Sequence, residues 1–273
     1  MTRKLAVVTT FSAAGFDQYA HRMIDTWLKH WPSDVTLFVY PDQPVPLPER
    51  PNLRVMAGAQ PQKAKFIKRW KDKPECTGTP GGKPYDYRFD AIKFCHKPFC
   101  LWDFATRNDH LPQPYEGVIW LDADTITHRK VDQRALLEIA PPQFDMQSLG
   151  RSYKYTECGY LWFCLRPESK GRAVLEEWVR LYTSGDFRKQ REWHDSYLFD
   201  MARPKVAGGR MNNLTGHIPR RSGGGHPFVN CFLGEYMDHH KGPRKITGKP
   251  RKNDLFADHA APYWKDHPHA KTK

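Results

Sequence analysis

EGVIWLDADTIT, running from Glu116 to Thr127, decides how the whole chain is read. Val118, Ile119, Trp120 and Leu121 follow one another without alternation and stop at Asp122-Ala123-Asp124. A short unbroken apolar run predicts a strand buried on both faces, the usual setting of a parallel sheet. Its carboxyl end carries the two acids. Side chains at i and i+2 leave one face of a strand roughly 7 Å apart, and a turn can draw them closer. The carboxyl edge of the strands is where open α/β sheets bind ligands. Like charges held there call for a cation between them, and an all-oxygen pair suits Mg²⁺ or Mn²⁺. Asp122 and Asp124 are therefore candidate metal ligands.

Upstream, the pattern predicts a β-α-β unit. Lys4 to Thr10 reads as a first strand. Ala20, Met23, Ile24, Trp27, Leu28 and Trp31 share one helical face, capped near Asp17 and stopped by Pro32, and Val35 to Tyr40 is a second strand. Such a unit implies a parallel sheet with a right-handed crossover, and puts the loop after the first strand on the same edge as the aspartates. Asn52 to Met56 reads as a short third strand. Lys63 to Pro84, basic and rich in Gly and Pro, reads as a surface loop. A helix is expected from about Asp90, kinked at Pro98, with Arg88, Asp90, Lys93 and Lys97 recurring at near-helical spacing. Downstream, Phe144 to Leu149 and Tyr160 to Leu165 read as strands around a polar loop holding Tyr155, Thr156 and Glu157. Val174 to Tyr182 is an amphipathic helix ended by Gly185, Glu192 to Met201 a shorter one carrying Asp195, and Pro227 to Phe232 a strand. From Asp238 the chain reads as a polar, basic turn. The expectation is one α/β domain spanning residues 1–273, with a basic tail over about residues 253–273.

Composition narrows the class. At 273 residues, with nine Trp, fifteen Phe and twelve Tyr, the chain can bury a full core. No apolar run approaches the roughly 18 residues of a membrane span, and the opening segment lacks a signal-peptide pattern, so a cytoplasmic protein is expected. The six cysteines are scattered without CxxC spacing, which argues for buried thiols and against a disulfide framework or zinc site. The net charge of +13 is uneven. Arg203 to Lys273 holds fourteen Lys/Arg against five Asp/Glu, and Lys63 to Lys73 six against one. That concentration points to a polyanionic partner: nucleotide phosphates, nucleic acid or an anionic membrane surface.

A second motif, His-x-x-Gly-x-x-Lys at His239, Gly242 and Lys245, joins the Asp-x-Asp. Together they resemble nucleotide-sugar-dependent glycosyltransferases of the GT-A fold, most of all the glycogenin and galactosyltransferase group. The resemblance runs from the opening strand to about Lys245. It implies a Rossmann-like, mixed but mostly parallel central sheet flanked by helices, and a Mn²⁺ (or Mg²⁺) ion held by Asp122, Asp124 and His239 against the diphosphate of a donor such as a UDP-sugar. It implies that Gly242 and Lys245 meet the diphosphate. Thr9, Thr10 and Phe11 would face the nucleoside, with Phe11 or Tyr19 stacking on it. Arg88, Asp90, Lys93 and Lys97 would serve the sugar and phosphates. Asp195, ahead of Glu157, would activate the acceptor or stabilise an oxocarbenium-like transition state. The sequence departs from the group at Ile246-Thr247, where Pro-Trp commonly stands, and in the flanks of Asp195. His240 beside His239 leaves the ligand open to a slip by one.

The basic balance suggests an anionic acceptor. The sharper expectation is DNA bearing hydroxymethylated pyrimidines, as in bacteriophage DNA modification, which would put the enzyme in the host cytoplasm. Lys63 to Lys73, Arg210, Arg220 and Arg221 would lie on the backbone, and the target base would have to be flipped or unpaired. A lipopolysaccharide or capsule precursor, met by peripheral contact at the inner membrane face, is the competing acceptor. Two rivals stand beside the transferase. A haloacid-dehalogenase-type phosphatase would use Asp122 as nucleophile, although its usual Thr or Val is Ile126 here. A non-enzymatic nucleic-acid-binding protein would use the basic loops with Phe66, Trp70, Tyr85 and Tyr87.

Overall fold

The computed structural model describes residues 3–58, 60–151, 154–218, 225–248 and 254–265. Among them the strands are β1 (Leu5–Phe11), β2 (Thr36–Pro41), β3 (Leu53–Val55), β4 (Gly117–Leu121), β5 (Thr125–Thr127), β6 (Met146–Leu149), β7 (Glu157–Cys164), β8 (Met211–Asn213) and β9 (Met237–His239). The helices are α1 (Ala13–Gly15), α2 (His21–His30), α3 (Pro61–Trp70), α4 (Ala91–Phe94), α5 (His96–Asn108), α6 (Gln133–Ile139), α7 (Gly171–Thr183), α8 (Asp195–Ala202) and α9 (Arg244–Thr247).

The central sheet runs in the order β3-β2-β1-β4-β7-β6-β8, and β5 and β9 form a separate ribbon. β1 pairs in parallel with β2 on one side and β4 on the other, β2 with β3, and β6 with β8; β7 runs antiparallel between β4 and β6. This is the mixed, mostly parallel α/β sheet that the sequence implied. Successive strands move outward from β1 to β3, and the chain then returns to pair β4 on the far side of β1. The strand order reverses between β1 and β4, which makes their carboxyl ends a switch point where such sheets leave a crevice.

Both faces are covered, as the unbroken apolar run of β4 requires. Leu5 and Val7 face a layer containing Met23, Ile24 and Trp27 of α2, while Ala6 and Val8 face Phe99 and Phe104 of α5 and Trp178 of α7. Each such side chain contributes about 1.5–3 kcal/mol when fully buried. The six cysteines are free and buried. Among the described residues no helix is long and apolar enough to cross a membrane.

Several local expectations are corrected. The segment from Lys63 is not a loop at its start: Pro61 opens α3, and Phe66 and Trp70 anchor it in the core. Proline suits a first helical turn, where its missing N–H would be unpaired anyway. Asp90 caps α4 instead of starting a long helix, the chain re-sets at Cys95, and Pro98 falls in the first turn of α5, where it costs no helical bond. Glu157 opens β7 and is not in a loop. Pro227–Asn230 forms turns, not a strand. The segment around Asp238 is strand β9, buried despite its charges because Asp238 meets Arg244 at 2.5 Å. Arg220 and Arg221 lie outside the described residues.

Candidate functional site

The two halves of the site meet through the β5–β9 ribbon. After β4 the chain turns through Asp122-Ala123-Asp124, with the Asp122 N–H donating to the Gly159 carbonyl at 2.9 Å and the Thr125 N–H to the Asp122 carbonyl at 3.0 Å. β5 then pairs with β9 in the register Thr125 opposite His239, and the His240 N–H donates to the Asp124 carbonyl at 2.9 Å. That register delivers His239 to the acids. Its Nε2 lies 3.0 Å from Asp124 Oδ1 and 3.6 Å from Asp122 Oδ2. His240 points elsewhere, to Asp238 and the Tyr263 hydroxyl, both at 3.2 Å. Gly159 makes room for the His239 ring: a Cβ there would sit 2.5 Å from its Cε1.

Asp122, Asp124 and His239 form a cluster whose ligand atoms all lie within 4.8 Å of one another. Two carboxylates and an imidazole on converging elements fit a divalent cation, with the oxygens favouring Mn²⁺ or Mg²⁺. Fixed cations crowd the same acids. Lys245 of α9 reaches Asp124 Oδ2 at 3.1 Å and lies over the Tyr19 ring at 4.5 Å, just past Gly242, whose φ of +63° suits the turn into α9. Burial disfavours the Asp124 carboxylate, but His239 and Lys245 outweigh it and hold the group below the ordinary carboxylate range. Burial likewise opposes charge on His239, yet Asp124 and Asp122 raise it above an ordinary imidazole.

Lys97, on α5, is the second organising cation. Its buried ammonium lies 3.0 Å from Asp122 Oδ1 and 2.6 Å from Asp195 Oδ2, and donates to the Cys158 carbonyl at 2.6 Å. Trp120, two residues before Asp122 on β4, adds an Nε1–H bond to Asp122 Oδ1 at 2.7 Å. Asp195 is the first residue of α8, where His194 serves as N-cap. Burial would raise the Asp195 pKa, but Lys97 and His194 hold it below the usual range. It is thus a fixed negative charge and a weak proton acceptor.

The remaining expected residues divide. Of the four polar residues around the helix start, Lys97 alone meets the acids. Arg88 is paired with Asp86 at 2.6 Å, Asp90 caps α4 and accepts from the Tyr85 hydroxyl at 3.0 Å, and the Lys93 ammonium lies 3.4 Å from that hydroxyl. Thr9, Thr10 and Phe11 do end β1 at the switch point. The Thr10 hydroxyl, however, donates to the Tyr40 carbonyl at 2.5 Å, and Phe11 is buried against Phe16. Tyr19 is the aromatic beside Lys245. Glu157 stands behind His239: its carboxylate takes Lys241 at 2.8 Å and lies 4.0 Å from His239 Nδ1. Burial would raise its pKa, but Lys241 leads the charges that hold it well below the ordinary range. Lys241, Trp120 and Gly159 were not singled out from the sequence. Trp120 was the findable one, since i and i+2 share a strand face.

Among solved structures, the chain is similar to the glycosyltransferase GlyE of Streptococcus pneumoniae TIGR4, with 13% identity, a TM-score of 0.42, and coverage of 78% of this chain and 45% of that one. It is also similar to the bifunctional glycosyltransferase WbbM in its apo structure, with 12% identity, a TM-score of 0.45, and coverage of 79% of this chain and 39% of that one. The chain therefore spans less than half the length of either. No protein-family model and no curated protein matches it.

Proposed function

We propose that the chain is a metal-dependent glycosyltransferase that moves a sugar from a nucleotide-sugar donor, UDP-linked in the simplest case, to an anionic acceptor. The observation carrying this reading is the convergence of Asp122, Asp124 and His239 beside Lys245 at the switch point of the sheet. In the reaction the bond between the anomeric carbon and the diphosphate oxygen breaks, its electron pair leaving with the nucleoside diphosphate. An acceptor oxygen bonds to that carbon and gives up its proton. Lys245 supplies a fixed donor for the charge that builds on the leaving oxygen, where such preorganised groups matter most. Asp122, Asp124 and His239 would hold a divalent ion, which when bound supplies Lewis-acid stabilisation of the same charge. Lys97 neutralises part of the acid cluster and fixes Asp195. As an ionised carboxylate, Asp195 is suited to stabilising positive charge at the anomeric carbon. Glu157, tied to Lys241, is assigned no proton-transfer role.

The test is thermal stabilisation. UDP with Mn²⁺ should raise the melting temperature by several degrees, with little effect from either alone. Lack of any response to nucleoside diphosphates would sink the donor assignment.

For the acceptor, α3 offers an exposed basic face with Lys65, Lys68, Arg69 and Lys71. β1 to β4 run parallel, so the groove between α3 and the ends of β2 and β3 opens on the same edge as Asp122. This supports a polyanion, with modified DNA the favoured case. Electrophoretic binding to DNA should weaken steeply with salt and fall further when Lys65, Lys68 and Lys71 are changed to Glu. No affinity at low salt would rule out DNA as acceptor.

A further inference from the structure

We propose a second divalent-cation site, selective for Zn²⁺, formed by Glu157, His226 and the far side of the His239 ring. Ligand atoms from these three residues all lie within 4.8 Å of one another. The two rings stand perpendicular at 5.1 Å. Among the described residues, both ring nitrogens of His226, and Nδ1 of His239, are buried without a hydrogen-bond partner. A buried imidazole with unpaired nitrogens carries a desolvation penalty that a bound cation removes. The donor set is also distinctive. Two imidazoles and one carboxylate, with water in the fourth place, suit tetrahedral Zn²⁺, whereas Mn²⁺ and Mg²⁺ are better served by the oxygens of Asp122 and Asp124. Lys241 now occupies the Glu157 carboxylate, but its side chain is 56% exposed and can swing into solvent as a divalent ion enters.

The two sites share one ring and need opposite tautomers. A neutral imidazole carries a single proton. Zn²⁺ on Nδ1 leaves that proton on Nε2, which then donates to Asp124 across 3.0 Å and is closed to a second ion. An ion on Nε2 likewise puts the proton on Nδ1, facing Glu157 across 4.0 Å. Zn²⁺ therefore antagonises Mn²⁺ at the acid pair. The antagonism rests on the donor-site reading above; the zinc site itself does not.

The experiment titrates Zn²⁺ into the metal-free 273-residue chain against a chromophoric chelator, with Mn²⁺ occupancy followed separately by electron paramagnetic resonance. Wild type and Asp124→Asn should each bind Zn²⁺, and His226→Gln should bind at least about tenfold more weakly. His226→Asn replaces it if thermal melts show that His226→Gln does not fold. Zn²⁺ affinity undiminished by loss of His226, or binding that vanishes in Asp124→Asn, overturns the site. Zn²⁺ should release Mn²⁺ from wild type at lower concentration than from the His226 variant, where only direct displacement at the acid pair is left, and equal release from the two overturns the antagonism. A wild type that binds Zn²⁺ but no Mn²⁺ refutes the donor reading while the zinc titration still decides the site.

Discussion

At the scale of single residues, the site is a lattice of alternating charges in which few side chains have one partner. Asp124 meets both His239 and Lys245, so Asp124→Asn removes a candidate ligand while nearly keeping the side chain's shape. Turnover should drop by at least about 100-fold, and the Mn²⁺-dependent part of UDP stabilisation should disappear while the far-ultraviolet spectrum stays unchanged. Lys97 joins the half-buried Asp122 carboxylate to the buried Asp195 carboxylate. Lys97→Met should cost about 3–5 kcal/mol in urea unfolding, because removing one partner strands the other charges. Adding Asp195→Asn should recover part of that loss, giving a coupling above about 1 kcal/mol in a double-mutant cycle. Additive effects would mean that Lys97 and Asp195 are not energetically joined. Part of this lattice was legible: the acid pair announces itself by residue type and spacing, and His239 through the resemblance its His-x-x-Gly-x-x-Lys stretch bears to GT-A glycosyltransferases. Lys241 was hidden, because a lysine in a basic turn looks like a solvated one until its carboxylate partner, 84 positions away, is known.

Among the elements, the β5–β9 ribbon is what the sequence concealed most completely. Three-residue strands carry too little alternation to show, and Asp238 and His239 look like turn residues because nothing local reveals that Arg244 neutralises the buried acid. α3 was missed for a related reason, since its lysines dominate the composition while only Phe66 and Trp70 are fully buried. The long buried strands and α2 were readable, because each repeats one period over enough residues. The ribbon's grip on His239 depends on Gly159 beneath the ring. Gly159→Ala would force its Cβ into the imidazole, costing about 1–3 kcal/mol as the ring shifts. Mn²⁺ affinity, measured by calorimetry, should weaken along with stability. Unchanged affinity would show that the ring has slack.

Part of the molecule's pH dependence comes from two histidines outside the acid cluster, His96 and His128. His96 is pushed down to about 4 by burial and then by Lys63, and His128, stacked on Tyr263, down to about 4 mainly by burial. An unfolded histidine takes its proton near pH 6.5, so between 6.5 and 4 the unfolded chain binds more protons than the folded one. The stability these buried neutral rings represent is complete above 6.5 and is lost as pH falls toward 4. By pH 5 the loss should reach roughly 2 kcal/mol per histidine in urea melts, and His96→Gln should flatten the slope. An equal slope in that variant would assign the acid sensitivity to other groups.

The pairing of β5 with β9 also has a temporal side. A ribosome releases Asp122 and Asp124 more than a hundred residues before His239. The nascent β1 to β4 layer can therefore assemble while its acids have only the nearby lysine on α5 to answer them. His239 and then Lys245 join the acids only once β9 and α9 have been synthesised, so no shorter nascent chain can assemble the complete cluster.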